Sequence, residues 1–132
     1  MARGFKGFRR NKSTSSKLYI IKDGVLQSGF SFSGNSGQGS GFYIIHCRPY
    51  APGDGATTNQ TFKFDGKKLH IKASTSNVVV NWHIDFGNTA QYFLPDNVEH
   101  VLTGGTGTTS ISIYLGDTSK WWDVKVHDLY IS

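Results

Sequence analysis

The chain has 132 residues, enough for one domain with one core. Its 37% hydrophobic content, with nine Phe, six Tyr and three Trp, excludes a wholly disordered chain, while a single Glu and sixteen Gly argue against a helical one. The formal charge is +5, and Cys47 stands alone, which excludes an intrachain disulfide and a Cys-rich zinc site.

The charge is concentrated at the start. From Arg3 to Lys22 there are seven basic residues and no acidic one. Removing those seven from the fourteen Lys and Arg leaves seven basic against nine acidic residues, a body of net −2. A basic tail on a mildly acidic body points to docking through the tail. Residues 1–17 show neither strand nor helix period and read as an extended arm, with the domain proper spanning 18–132. Within the arm, Arg3, Lys6, Arg9 and Arg10 are interrupted by Phe5 and Phe8. That mixture suits an acidic protein groove with two hydrophobic anchors, or phosphates with bases stacked on the rings.

Tyr19 to Leu26 reads as a hairpin turned by Asp23-Gly24, and Thr61 to Ala73 as a second turned by Asp65-Gly66. Between them, Ser33–Gly41 reads as a flexible Gly-Ser loop and Gly41–Cys47 as a strand. In the strand expected over Val78–Phe86, Val78, Val80, Trp82, Ile84 and Phe86 share a dry face. Asn81, His83 and Asp85 fall on the wet face as a polar comb. Further strands are expected at Gln91–Leu94, Val98–Leu102, Thr109–Leu115 and Trp121–Ile131, with a flexible loop at Gly104–Gly107. In the last strand Val124 and Val126 are out of phase with Leu129 and Ile131, which places a β-bulge near His127-Asp128. Eight or nine short strands with Gly-rich turns imply an all-β jelly-roll sandwich.

The closing segment Trp122, Val124, Val126, Asp128, Leu129, Ile131 follows an aromatic-x-aliphatic-x-aliphatic-x-Asp-aliphatic-x-aliphatic pattern. With the strands before it, this segment resembles the carbohydrate-binding-module and galactose-binding-like jelly rolls over residues 60–132. The opening, Lys17 to Phe32, resembles the start of small structural proteins of tailed phages. These resemblances imply a non-enzymatic domain, either a virion decoration or appendage subunit or a glycan-binding module. Because the arm and the Ser33–Gly41 loop stand where those modules have a first strand, the expectation that leads is a phage virion structural protein. It would dock by its arm onto other virion proteins, a capsid or tail protein or further copies of itself. A glycan-binding module and a capsid protein whose arm contacts nucleic acid are the alternatives, and no membrane partner is expected.

For catalysis the acids form no distinctive pair, and neither Gly-rich stretch completes a nucleophile elbow or phosphate loop. No cofactor is expected, although Asp128 offers either a calcium ligand, as in the resembling jelly rolls, or a bond to backbone. His83 and Asp85 project the same way, as a wet face, a partner contact or two ligands of a metal lacking a third. His46 and Cys47 project oppositely and cannot act together. For sugars, rings outside the core phase matter, because C–H faces stack on them. Tyr50, Tyr92, Tyr114 and Trp121 are the candidates, with Asn81, His83 and Asp85 to read hydroxyls. Edge packing or a subunit contact would use the same residues. Alternation lets only one of Trp121 and Trp122 face inward, and Trp122 shares phase with the core.

Overall fold

The Asp23-Gly24 pair turns the chain as its composition requires, with φ of 50° and 81°, in the computed structural model, which describes residues 16–47, 55–75, 80–115 and 121–132. The turn joins β1 (Leu18–Lys22) to β2 (Val25–Leu26), which pair antiparallel. The chain continues through β3 (Phe32–Gly34), β4 (Ser36–Gln38), β5 (Tyr43–Cys47), β6 (Gly55–Thr58) and β7 (Phe62–Lys63). Then follow β8 (Lys68–Thr75), β9 (Trp82–Phe86), β10 (Thr89–Phe93), β11 (His100–Thr103), β12 (Thr108–Thr109), β13 (Ser112–Tyr114) and β14 (Trp122–Ile131). No helix occurs among the described residues.

The strands fold as nested antiparallel pairs. The innermost is β9 with β10, then β8 with β11, β6 with β13, and outermost β1 with β14. Wrapping that long hairpin on itself gives two sheets: β11-β8-β14-β1-β2, with β5 and β4 alongside β14, and β10-β9-β13-β6-β3. The protein is therefore an all-β jelly-roll sandwich, as its turn-rich strand pattern anticipates. The two inner faces meet in one core, with Ile21, Ile45, Leu69, Ile71, Val124 and Val126 from the first sheet. Trp82, Ile84, Phe86 and Ile113 come from the second. A two-stranded sheet, β12-β7, closes one end.

The bulge lies where the phase slip places it. Val126 pairs with Ala73 and Asp128 with Lys72, leaving His127 as the extra residue. Asp128 accepts the Asp23 backbone N–H at 3.0 Å, so the bulge aspartate bonds to backbone. The His127 carbonyl accepts the Gly24 N–H at 2.7 Å.

Several local expectations are corrected. Asp65-Gly66 does not make a hairpin: β7 pairs with β12, and β8 with β11 and β14. Only Gly66 of that pair has positive φ (71°), so the turn, closed by Lys67 N–H to the Phe64 carbonyl at 2.9 Å, is a corner between sheets. The strand expected from Val78 shortens to Trp82–Phe86. Residues 76–79 lie outside the described residues, and Val80 and Asn81 precede the strand. The strand expected over Thr109–Leu115 divides between β12 and β13, because the Ile111 N–H bonds the Thr58 hydroxyl at 2.9 Å in place of a strand partner.

The Ser33–Gly41 stretch is not a flexible loop. It contains β3 and β4, which belong to different sheets, and Gly34 (φ 108°) is where the chain crosses over. A Cβ on Gly34 would lie 2.2 Å from the Gly55 carbonyl oxygen, so glycine here serves close backbone approach. Gly104–Gly107 is a loop but a packed one, its Gly104 N–H bonded to the Lys67 carbonyl at 2.9 Å. Strand β6 has no counterpart in the sequence reading. Its inward residues, Ala56 and Thr58, are small and give no alternating apolar signal.

Gly24 and Gly37 offer a direct test of this packing. A Cβ at Gly24 would lie 2.0 Å from the Gly41 carbonyl oxygen, whereas one at Gly37 meets nothing within 4 Å. Gly24→Ala is expected to destabilise by at least about 2 kcal/mol. Gly37→Ala is expected to stay within about 0.5 kcal/mol of wild type, both measured by urea unfolding.

Candidate functional site

Because β9 and β13 bury every second residue, the residues between them are thrown onto the outer face of the second sheet. The hairpin β9–β10 holds them in register, turned by Gly87-Asn88 with φ of 59° and 56°. This Gly-Asn pair is a hairpin signal present in the sequence but passed over there in favour of Asp-Gly.

Two rows cross the strands. In the first, Ser33 pairs with Thr57, Thr57 with Ser112, Ser112 with Asp85 and Asp85 with Ala90. This is a floor of small hydroxylic residues: the Thr57 and Ser112 hydroxyls are 2.8 Å apart, and Ser33 Oγ donates to the Thr57 carbonyl at 3.3 Å. In the second row, Gly55 pairs with Tyr114, Tyr114 with His83 and His83 with Tyr92. Three rings thus stand side by side on neighbouring strands. His83 stacks on Tyr114 with centroids 5.0 Å apart and planes at 20°, and meets Tyr92 at 4.4 Å.

The rows are joined by Tyr114 OH donating to Asp85 Oδ1 at 3.1 Å. Burial, then the bond to the Asp85 carboxylate, raises the Tyr114 phenol above its ordinary range. Over the first row lies a groove of about 470 Å³ lined by Ser33, Thr57, Asp85 and Ser112, with Tyr114 the one ring of the second row among its lining residues. Tyr92, at the far end of the ring row and outside that lining, is 60% exposed.

Of the residues singled out from sequence, His83, Asp85, Tyr92 and Tyr114 come together here. Asn81 is exposed but precedes β9, so it leaves the comb. Trp121 is 55% exposed and lies elsewhere, edge-on to His46 at 6.5 Å, while Trp122 packs against the core. Tyr50 and the arm residues Arg3, Phe5, Lys6, Phe8, Arg9 and Arg10 lie outside the described residues. Ser33, Thr57 and Ser112 went unnoticed because isolated hydroxyl residues carry no signal until strand pairing aligns them. Among the described residues no three of His, Cys, Asp and Glu gather as a metal would require.

The outer face of the first sheet carries a different cluster. The His70 ring lies flat on Tyr130, with centroids 4.1 Å apart and planes at 8°. Glu99 accepts from Tyr130 OH at 3.1 Å and from His70 Nδ1 at 3.2 Å, and His70 Nε2 meets the Ser132 hydroxyl at 2.7 Å. Lys17 sits over the Tyr130 ring at 5.1 Å. These rings are closed by their own neighbours and form a structural seam.

No protein-family model matches the chain, and no curated protein matches its sequence.

The seam has a pH signature. Burial, then the bond to Glu99, pushes the Tyr130 phenol up to about 12 from an ordinary 10.0. Above the ordinary value the unfolded chain loses this proton while the folded chain keeps it, so stability falls with pH until the folded phenol also ionises. Unfolding midpoints in urea should therefore drop more steeply across that window for wild type than for Tyr130→Phe. Equal slopes would show that Tyr130 is not the group responsible.

Proposed function

We propose that the protein is a non-catalytic carbohydrate-binding module and that its ligand lies on the outer face of the second sheet. The observation that carries this reading is the pairing of the three-ring row Tyr114, His83 and Tyr92 with a hydroxyl floor ending on Asp85. Sugars present apolar C–H faces and rings of hydroxyls, and the two rows offer a counterpart to each. Asp85 accepts two or more hydroxyl bonds, while the Ser and Thr hydroxyls donate or accept as the ligand requires. The groove is preformed on strands, so little ordering entropy is lost on binding. Asp85 is the one carboxylate among the described residues lining it, where hydrolysis of a glycosidic bond generally calls for two.

A broad glycan array probed with the full chain tests this. Binding should appear and weaken about tenfold in Tyr92→Ala and in Asp85→Ala, a loss of about 1.4 kcal/mol each. Val101→Ala, exposed on the first sheet, serves as control and should change nothing. Silence across the array, or equal binding by all variants, would overturn the reading.

The uneven charge of the sequence favours a second reading, in which the same sandwich is a phage virion subunit docked by residues 1–17. The first strand begins at Leu18, so removing residues 1–16 should leave the sandwich folded and abolish attachment to the parent particle. If the arm enters a protein groove, Phe5→Ser with Phe8→Ser should be nearly as damaging, since each buried aromatic contributes about 1.5–3 kcal/mol. If it grips nucleic acid, neutralising Arg3, Arg9 and Arg10 should matter most and binding should fall steeply with salt. Full occupancy by the truncated chain would remove the arm from the mechanism.

A further inference from the structure

The second sheet is open along β10, which ends it among the described residues. With five residues β10 is the longest edge strand of the two large sheets, where β2, β3, β4 and β11 have between two and four. Edge strands are commonly kept from pairing by brevity, proline or charge. β10 contains no proline, and no Asp, Glu, Lys or Arg occurs from Phe86 to Pro95.

Strand register fixes which backbone groups of β10 are free. The two-residue turn Gly87-Asn88 makes Phe86 and Thr89 a pair that exchanges both hydrogen bonds, and by alternation Gln91 with Ile84 and Phe93 with Trp82 do the same. The N–H and C=O groups of Ala90 and Tyr92 therefore point away from β9, toward the flank of the sandwich. Apolar surface collects on that flank. Tyr92, Leu94, Val98 and Val101, four of the seven large hydrophobics exposed among the described residues, lie on β10, β11 and the connection between them. Gln91 ties the two strands, its Nε2 donating to the Thr103 carbonyl at 2.8 Å.

From this we infer that two copies of the chain associate by antiparallel pairing of β10 with β10, about a two-fold axis at Gln91, into one continuous sheet. The inference does not rest on the carbohydrate reading. A second copy is the occupant because this edge complements itself. A two-fold axis brings each strand against its own image, and the uncharged run meets no like charge there. Gln91 is the middle residue, so centring on it pairs all of Thr89–Phe93. Ala90 then faces the partner's Tyr92, and Tyr92 the partner's Ala90. Both pairs exchange the bonds that β9 leaves free, and each Tyr92 ring stands beside a methyl group. An axis at Tyr92 would shorten the overlap and set ring against ring. The contact is small. An edge about 17 Å long on a sandwich about 10 Å between sheets falls short of the usual 800 Å² or so per partner, which makes the dimer reversible and concentration-dependent.

Analytical ultracentrifugation of the full chain from about 1 µM to about 1 mM tests this, and a monomer–dimer equilibrium is expected. Ala90→Pro deletes an N–H used only between copies, at an edge position that tolerates proline, and should weaken association at least about tenfold. Gln91→Lys and Gln91→Glu should each weaken it too, because like charges would meet at the axis. An equimolar mixture of those two variants should restore it. Urea unfolding midpoints establish that each variant folds; should Ala90→Pro fail to fold, the charge pair carries the test. A chain monomeric over the whole range, or a dimer indifferent to these substitutions, would overturn the inference. So would a mixture that associates no more tightly than its components.

Discussion

One extra residue in one strand organises this molecule. Without His127, β14 would run straight beside β8 and one partner would have to fill its whole other edge. With it, the strand bends, and that edge is divided: β5 takes Trp122–Val126 and β1 takes Leu129–Ile131. The bulge also collects the turn of the first hairpin. Asp128 receives the Asp23 N–H, and the His127 carbonyl receives the Gly24 N–H. Gln38 of β4 then reaches the Gly24 carbonyl at 2.6 Å. Bonds of this kind are individually worth about 1 kcal/mol. Their importance lies in joining segments more than a hundred residues apart, so that the outermost pair of the jelly roll closes over the rest.

That closure explains why the two outer faces differ. On the first sheet three outward rings carry a lysine from within the chain. Lys17 sits over Tyr130, Lys22 over Tyr19 and Lys125 over Phe42, at 5.1, 5.1 and 4.7 Å. Such contacts shield aromatic faces and satisfy cations at once. On the second sheet the rings lean on one another, and Tyr92 keeps most of its surface open. The floor beside them is small and hydroxylic, because β3 and β6 carry Gly, Ala, Ser and Thr at the positions where the backbones come closest. Small residues make the hollow, and Tyr114 stands at its wall.

The sequence by itself determined the fold class, the buried phase of β8, β9 and β14, the first hairpin and the bulge. These follow from local rules: alternation of apolar residues, positive φ at Asp-Gly, and a phase slip within one strand. It also determined that His83 and Asp85 share a face and that Trp121 faces outward. What it did not determine was partnership. Asp65-Gly66 has the same composition as Asp23-Gly24 and makes a corner between sheets, because the edges open to β7 and β8 belong to β12, β11 and β14. The Ser33–Gly41 stretch reads as loop because glycine suits both mobility and close approach, and only the Gly55 carbonyl beside Gly34 tells them apart. Likewise Ser33, Thr57, Ser112 and Asp85, scattered over more than fifty positions, become one floor solely through strand register. Local conformation is set by forces acting within a few residues, whereas a binding face on a sheet is made of residues as far apart in sequence as the topology allows. Only the tertiary structure could bring those together.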